Sequence, residues 1–388
     1  MAAGALTGWL LPDQAAGLTI VTNIFLRLIR SVIAPVLFGV LVGAAQSAAP
    51  RDLARLALKS LAYFEVVTAI ALLVGWFAVD WTAPGFPVRL PTTASSSPAP
   101  VTPAAIPGAP QLITNAFPAS IVDAMARGDI LQIVIFTSLF AAAVSAAGSR
   151  ARAVTGFAEA LTAVAFQYTR YVMMLAPLAV FSSMAVTVAG NGSLALAGLA
   201  RFVAAAWAAQ TLFAATVFPL SLWLAGIPLG VFLRAVREPF LVAFATTSSA
   251  AALPQTIEAV DRLGVSKRIA GVVTPLSLTL NMTGSSIHLA MGALFAAQAG
   301  GVALTFGEQL AILATLKLTS KGVAGIPRAN LVILSGLFSQ FGLPAEALPV
   351  LLGIDALIDP IRTSVNVIGH AVAAPVMARW EHVKVGEK

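Results

Sequence analysis

Long, almost uninterrupted apolar runs dominate the pattern of hydrophobic and polar positions. Residues 61–79 and 194–225 each contain one charged side chain, Glu65 and Arg201 respectively. Runs of this length cross the ~30 Å hydrocarbon core of a bilayer as helices, whereas the strands of a membrane barrel alternate residue by residue. The pattern predicts an all-α polytopic membrane protein.

The same pattern divides the chain into predicted helical spans separated by polar connections. The spans lie at residues 18–48, 53–79, 130–147, 163–188, 194–225, 229–256, 269–297, 307–340 and 351–373. The first 17 residues form an apolar piece that is too short to cross the bilayer. Residues 83–112 are rich in Pro, Ser and Thr and predict an extended linker, and residues 381–388 form a polar tail.

Three of the spans are interrupted by small and polar residues, at residues 246–252, 281–285 and 319–327. Non-helical backbone at membrane depth is tolerated only where protein or water surrounds it. The first and third interruptions both run up to an aliphatic residue and a proline, Leu253-Pro254 and Ile326-Pro327. Corresponding interruptions in two halves of a chain indicate inverted repeats, so we expect two re-entrant helical hairpins with these stretches at their tips. The alternative is a pair of ordinary loops between short helices.

Residues 351–373 form an otherwise apolar segment with one polar stripe. At about 100° per residue, five side chains fall within about 80° of arc: Asp355, Asp359, Arg362, Asn366 and His370. Each charge in a bilayer costs at least ~2.5 kcal/mol on the insertion scale, so such residues indicate a functional site. A structural ion pair between Asp359 and Arg362 is the alternative, but such a pair does not require Asn, Thr and His on the same face.

The stripe carries opposite charges that suit the two ends of an acidic amino acid. Arg362 offers a bidentate fork to a side-chain carboxylate, and Asp359 offers an anion to an ammonium group. Asn366, Ser249 and the free N–H groups of the hairpin tips can donate to the α-carboxylate. A C4-dicarboxylate, which lacks the amine, would be disfavoured by Asp359.

Composition supports a membrane protein and excludes other classes. The 388 residues are 59% hydrophobic and 10% charged, which is far too little charge for a soluble protein of this size. The net charge of +7 does not indicate nucleic-acid binding, because basic residues flank the apolar runs, as Arg51, Arg55 and Lys59 do. By the positive-inside rule these flanks and the tail are cytoplasmic and the linker is extracellular. We expect a multi-pass protein of the inner (plasma) membrane, in contact with the lipid bilayer. No grouping of nucleophile, base and orienting residue indicates an enzyme.

Four motifs resemble those of the dicarboxylate/amino acid:cation symporters, the glutamate transporter homologues. They are TTSSAAALP at 246–254, NMTGS at 281–285, TSKGVAGIP at 319–327 and GIDALIDPIRTSVNVIG at 353–369. The resemblance implies a homotrimer in which a rigid scaffold holds a transport domain that moves by an elevator mechanism. The scaffold would comprise residues 1–52, where the family's first span is mostly absent, and 113–228, of which 194–228 join the transport domain. The transport domain would comprise residues 53–82 and 229–380.

The resemblance also implies roles for individual residues. Arg362 would hold the substrate's side-chain carboxylate and Asp359 its amino group, and Asp359 favours an amino acid because this position is typically not acidic in the family's C4-dicarboxylate branch. The remaining substrate contacts would come from the last helix, the broken span and the two hairpins: Asn366, Thr363, Ser285, Ser248, Ser249, Gly325 and Ile326. The last two would line the gate.

The chain departs from the family at the positions that bind sodium. The family's Asn-Met-Asp-Gly-Thr motif is Asn281-Met282-Thr283-Gly284-Ser285 here, and a second cation-site aspartate is replaced by His370. The former cation-site positions are Asn281, Thr283, Asp355, Phe64, Val67 and Thr68. Sodium prefers oxygen ligands with a carboxylate for charge balance, so two sodium sites are predicted to be lost. A third family site uses backbone carbonyls near Thr279 and residues 320–323, where Lys321 would place an ammonium group.

Three modes of coupling remain open: proton symport, uncoupled exchange, and residual sodium dependence through the backbone site. Glu65, His288 and His370 are titratable groups within predicted spans, of the kind that proton relays use. Lys321 either substitutes for a cation or snorkels to the membrane interface. The predicted function is transport of glutamate or aspartate without a cofactor and without a confidently assigned metal ion. The alternatives are a transporter of another small carboxylate and an anion channel.

Overall fold

The computed structural model of the chain describes residues 1–43, 51–86, 88, 90, 114, 117–321 and 329–382. These residues form helices, with no β-strand among them, which confirms the all-helical prediction. The helices are α1 (Ala2–Leu10), α2 (Pro12–Gly17), α3 (Thr19–Ser31), α4 (Ile33–Gly43), α5 (Arg51–Thr82), α6 (Ile121–Arg127), α7 (Ile130–Ala147), α8 (Arg152–Met173), α9 (Ala176–Ala225), α10 (Leu229–Thr246), α11 (Leu253–Arg262), α12 (Lys267–Leu280), α13 (Thr283–Ala299), α14 (Phe306–Thr319), α15 (Ala329–Phe341) and α16 (Ala347–Trp380).

Within the described ranges, four helical stretches are long and apolar enough to cross a membrane. They are Pro12–Gly43, Arg55–Thr82, Leu131–Met173 and Leu196–Ala225. Each overlaps a span that hydropathy predicts. Together with the high apolar content, they identify an integral membrane protein.

The predicted span at residues 163–188 is wrong. Helix α8 ends at Met173 and α9 begins at Ala176, with Pro177 in its first turn. Hydropathy stays high through this turn, so a hydropathy window cannot detect it. Pro177 was the available signal, because proline is tolerated at the start of a helix and disfavoured in its interior.

The predicted boundary before residue 194 is confirmed, because the helical stretch α9 consists of two helices that meet at a kink in this region. The helix changes direction at Gly192, whose φ of 58° and ψ of −143° are not helical. Glycine adopts such angles without the steric penalty of a Cβ atom. The predicted span at 194–225 therefore corresponds to the helix that follows this kink, and residues 196–225 are long and apolar enough to cross a membrane.

Two of the three predicted helix interruptions lie in described residues, and both are present. Residues 247–252 separate α10 from α11, and Asn281 and Met282 separate α12 from α13. The second break is shorter than predicted, since Thr283, Gly284 and Ser285 already belong to α13. At the third, α14 ends at Thr319 and α15 begins at Ala329, while residues 322–328 lie outside the described residues.

Helix α16 contains the predicted striped segment and lies at the centre of the packing. It contacts α9, α10, α12 and α13, and α13 also packs against α5. Residues 283–297 of α13 are all buried, as expected of a helix that is covered on every side. The stripe of α16 therefore faces protein.

The end of α16 is anchored to α5. Lys59 donates a hydrogen bond to Glu381 and lies over the ring of Trp380. The hydrogen bond from Lys59 lowers the pKa of the Glu381 carboxyl below its usual value.

Most of the predicted linker and tail, residues 91–112 and 383–388, lies outside the described residues.

Candidate functional site

Arg362 lies between two carboxylates of its own helix. Its Nη1 donates to Asp355 Oδ1 at 2.7 Å and its Nη2 donates to Asp359 Oδ1 at 2.6 Å. The side chains of Arg362 and Asp355 are 5% and 1% exposed, whereas that of Asp359 is 21% exposed. Each nitrogen of the fork thus holds one carboxylate, and Asp359 is the member of the trio that is open to a ligand.

The trio has a net charge of −1 when all three groups are ionised. Burial strengthens the attraction within it because the interior has a lower effective dielectric constant than water. Thr363 adds a hydrogen bond from its hydroxyl to Asp359 Oδ1 at 3.2 Å. The second oxygen of Asp359 accepts no hydrogen bond from the described residues, so it is available to a cationic group.

Asn366 and Ser285 join α16 to the start of α13. The Asn366 Nδ2 donates to Ser285 Oγ at 3.1 Å, and the Ser285 backbone N–H donates to Asn366 Oδ1 at 3.2 Å. Ser285 is the third residue of α13, where backbone N–H groups have no partner within the helix. Asn366 therefore caps α13 from a neighbouring helix, which the sequence did not reveal.

Gly284 lets α13 approach α16 closely and Gln210 joins α13 to α9, and sequence reasoning missed both. A Cβ atom on Gly284 would lie 2.2 Å from the Arg362 carbonyl oxygen, so only glycine permits this approach. The buried Gln210 of α9 donates from Nε2 to the Gly284 carbonyl at 2.8 Å. A lone Gln in the apolar run of α9 was the available signal.

The Gly284→Ala substitution should destabilise the protein, because its methyl group would collide with the Arg362 backbone. Forcing extra volume into a packed interior costs about 1–3 kcal/mol, and the collision here is with backbone. Thermal unfolding in detergent measures the loss. Gly271→Ala in α12 is the matched control, since nothing lies within 4 Å of its added Cβ, and we expect it to be neutral or to stabilise by about 0.5–1 kcal/mol. Equal melting temperatures for the two variants would contradict the close contact.

The first predicted hairpin tip lies beside the stripe helix. Ala252, at the end of the tip, packs with Ala243 of α10 and Val367 of α16. Ser248 and Ser249 of the tip are half-buried, and Ser248 Oγ accepts a hydrogen bond from the Ala251 backbone at 3.2 Å. The predicted gate residues Gly325 and Ile326 lie outside the described residues.

Two of the former cation-site positions gather around Gly369, together with His370, which replaces a cation-site aspartate of the family. Asn281 Nδ2 donates to the Gly369 carbonyl at 3.2 Å, a Cβ on Gly369 would lie 3.0 Å from Thr283 Oγ1, and His370 is adjacent in sequence. Asn281 Oδ1, Thr283 Oγ1 and His370 Nε2 are buried without a hydrogen-bond partner among the described residues. These atoms include no carboxylate, so the group does not fit the charge balance that a sodium ion requires.

The other former cation-site positions hold buried apolar side chains or polar groups that bond to other residues. Phe64 and Val67 of α5 are buried in the hydrophobic core. Asp355 is bonded to Arg362 and lies 3.9 Å from Nε2 of the fully buried His288. The hydroxyl of Thr68 donates to the Phe64 carbonyl at 2.6 Å.

Glu65 forms an ion-pair cluster with two lysines. Glu65 Oε1 lies 3.0 Å from Lys321 Nζ, and Oε2 lies 3.2 Å from Lys317 Nζ. Lys317 was missed, although its spacing of four residues from Lys321 places both on one helical face. Within the described part of the chain, Glu65 makes no hydrogen bond or ion pair with His288 or His370, so these three coupling candidates do not form one direct relay.

Comparisons with known proteins identify the family of the chain. The model of the sodium:dicarboxylate symporter family matches residues 1–380. A C4-dicarboxylate transport protein of Anaeromyxobacter sp. (strain K) is 37% identical, over 97% of this chain and 87% of its own length. The proton/glutamate-aspartate symporter of Bacillus subtilis is 33% identical, over 98% of this chain and 93% of its own length. The proton/sodium-glutamate symport protein of the same organism is 32% identical, over 92% of this chain and 85% of its own length. The chain belongs to the sodium:dicarboxylate symporter family, whose members are membrane transport proteins and not enzymes.

Proposed function

We propose that this protein transports acidic amino acids, glutamate or aspartate, across the inner membrane without sodium. The observation that carries the proposal is the Asp355–Arg362–Asp359 trio, in which the partly exposed Asp359 keeps one oxygen without a partner. A substrate ammonium group would bind this oxygen, and the remaining N–H groups of Arg362 would bind the side-chain carboxylate.

Charge favours an amino acid over a C4-dicarboxylate. The trio already carries −1, so a dianionic substrate would add two negative charges without bringing a positive one. Glutamate brings its own ammonium group and a net charge of −1. Several relatives are named C4-dicarboxylate transport proteins, so succinate is the competitor that the assay must include.

Sodium independence is supported by the chemistry of the former cation-site positions. The group around Gly369 has no carboxylate, Phe64 and Val67 supply no side-chain oxygen, and Asp355 is bonded to Arg362. Glu65 is the candidate for proton coupling, and Lys317 and Lys321 are the charged groups within 4 Å of it in the described ranges.

The proposal includes the mechanism of the resemblance. The protein would act as a homotrimer in which residues 53–82 and 229–380 move as an elevator, with the second hairpin, at 307–340, as the gate. Contacts of α5 with α12 and α13 support the grouping of these segments. Helix α11 has ten residues, or about 15 Å at 1.5 Å per residue, which suits a re-entrant arm better than a full span.

Flux into proteoliposomes tests the function. Radiolabelled glutamate, aspartate and succinate are offered under an inward sodium gradient, an inward proton gradient, or no gradient with unlabelled substrate inside. We expect saturable glutamate or aspartate uptake with no sodium stimulation and weak competition by succinate. A response to the proton gradient would distinguish symport from uncoupled exchange, and unitary currents in place of counterflow would identify a channel.

Glu65→Gln is the variant that tests coupling in the same assay. If Glu65 carries the coupled proton, its neutral amide should flatten the pH profile of uptake, because the group no longer titrates. Glu258→Gln is the matched control, since Glu258 is exposed and, among the described residues, pairs with Arg262 on the same helix. An unaltered pH profile in Glu65→Gln would exclude this role, and sodium-driven accumulation by the unmodified protein would overturn sodium independence.

A further inference from the structure

Lys321 holds its ammonium group among oxygen atoms from three different segments. Its Nζ lies 3.0 Å from Glu65 Oε1, 3.0 Å from the Leu280 carbonyl oxygen and 3.4 Å from Thr68 Oγ1. The side chain is only 14% exposed. A carboxylate, a backbone carbonyl and a hydroxyl are the ligand types that a hard cation prefers.

The Leu280 carbonyl is at a helix end and attracts positive charge. Leu280 is the last residue of α12, and the chain resumes as a helix only at Thr283. The last four carbonyl groups of a helix have no partner within it, and the helix dipole places partial negative charge at this end. The break between α12 and α13 thus creates a cation site, which the ammonium occupies.

The direction of the side chain excludes snorkelling. Thr68 lies more than about 20 Å from either end of α5 (Arg51–Thr82) at 1.5 Å per residue, near the middle of this helix. A snorkelling lysine extends its ammonium towards the membrane surface, but Lys321 turns inward to α5 and α12. Lys317, one turn earlier, is 34% exposed and has Glu65 as its ion-pair partner.

We propose that Lys321 is a tethered cation, whose ammonium group takes the place of a free monovalent cation in a site formed by Glu65, Thr68 and the Leu280 carbonyl. This inference rests on the proposed sodium independence and supplies its physical cause. The chain itself provides the charge that solution would otherwise provide, so a sodium gradient has nothing to act on at this site. Removal of the ammonium should open the site to Na⁺, K⁺ or NH₄⁺.

The Lys321→Ala variant tests this directly. In choline chloride, its melting temperature and its glutamate uptake should fall, the latter by at least ~10-fold, because the Leu280 carbonyl at the helix end loses its positive partner and Glu65 loses one of its two lysines. One of the small cations should raise the melting temperature by about 5 °C at saturating concentration and restore uptake. The unmodified protein should respond to none of them.

Lys317→Ala is the matched control. It also removes one positive charge and one ion-pair partner of Glu65, but it leaves the hydrogen bonds of Lys321 to Leu280 and Thr68 in place. We expect no cation response. The double variant Glu65→Gln/Lys321→Ala should also lose the response, because the site then has no carboxylate. Lys321→Met keeps the aliphatic stem, fills the space and should be insensitive to cations.

Several results would overturn the proposal. One is a Lys321→Ala variant that is as stable and active in choline as the unmodified protein. A second is a folded Lys321→Ala variant whose melting temperature and uptake do not change with any small cation. A third is failure to purify Lys321→Ala in any of the salts, and a fourth is an equal cation response from Lys317→Ala. The melting measurement needs no substrate, so an error in the proposed substrate does not affect it. Sodium-driven uptake by the unmodified protein would instead overturn the proposed function.

Discussion

Replacing Asp359 by Asn should lower the affinity for glutamate and aspartate by about 100-fold. The loss follows because a charge-assisted hydrogen bond to the substrate ammonium, worth about 1.5–3 kcal/mol, becomes a neutral contact. The trio would change from −1 to neutral, so competition by succinate should strengthen. Inhibition of radiolabelled glutamate uptake by unlabelled glutamate and succinate measures both effects.

Asp355→Asn is the control for this prediction. Asp355 also bonds to Arg362, but its side chain is 1% exposed and faces His288. Its substitution should lower the melting temperature and leave the preference for glutamate over succinate in place. Unchanged glutamate affinity in Asp359→Asn would refute the assigned role of Asp359, and a preference for succinate in the unmodified protein would refute the proposed substrate.

Replacing Arg362 by Ala should destabilise the protein by about 3–5 kcal/mol, since removal of one partner leaves buried charges uncompensated. Asp355 is almost wholly buried, so its carboxylate cannot be rehydrated. Arg362→Lys keeps the charge and should restore much of the stability. It should still lose uptake by at least ~100-fold, because an ammonium group lacks the planar fork that reaches both carboxylates.

Melting temperature and uptake, measured on the same purified samples, separate the two effects of Arg362. Lys267→Ala is the control, since Lys267 is an exposed charge in the first turn of α12, outside the candidate membrane spans, and surface substitutions usually change stability by less than about 0.5 kcal/mol. Adding Asp355→Asn to Arg362→Ala should recover part of the lost stability. A normal melting temperature in Arg362→Ala would contradict the claim that Arg362 compensates the buried carboxylates. Normal uptake in Arg362→Lys would contradict the claim that transport requires the planar guanidinium group.

Local patterns predicted the helices well where the length of an apolar run agreed with the polar and small residues that end it. The span at 53–79 corresponds to α5, and the breaks after Thr246 and Leu280 are at the predicted places. Hydropathy failed at residues 174–175, because a turn between two apolar helices leaves the average unchanged. There the decisive signal was one residue, Pro177.

The contacts of the candidate site also divide into those that local spacing predicted and those that only the folded chain brings together. Spacing along one helix predicted that Asp355, Asp359 and Arg362 share a face, and their hydrogen bonds follow from that face. The pairing of Asn366 with Ser285 and of Gln210 with Gly284 connects residues more than 70 positions apart. The contacts of Lys321 with Leu280 and Thr68, 41 and 253 positions away, also form only in the folded chain.

The sequence by itself determined the class of protein, the places where helices break and the face that carries the charges, because hydropathy and helical period are local properties. Only the tertiary structure decided which polar groups meet. Helix α13 is buried on every side, so its sequence has no polar face that could specify its orientation. Its register on α16 is set by the close approach at Gly284, and the inward turn of Lys321 by the free carbonyl at the end of α12.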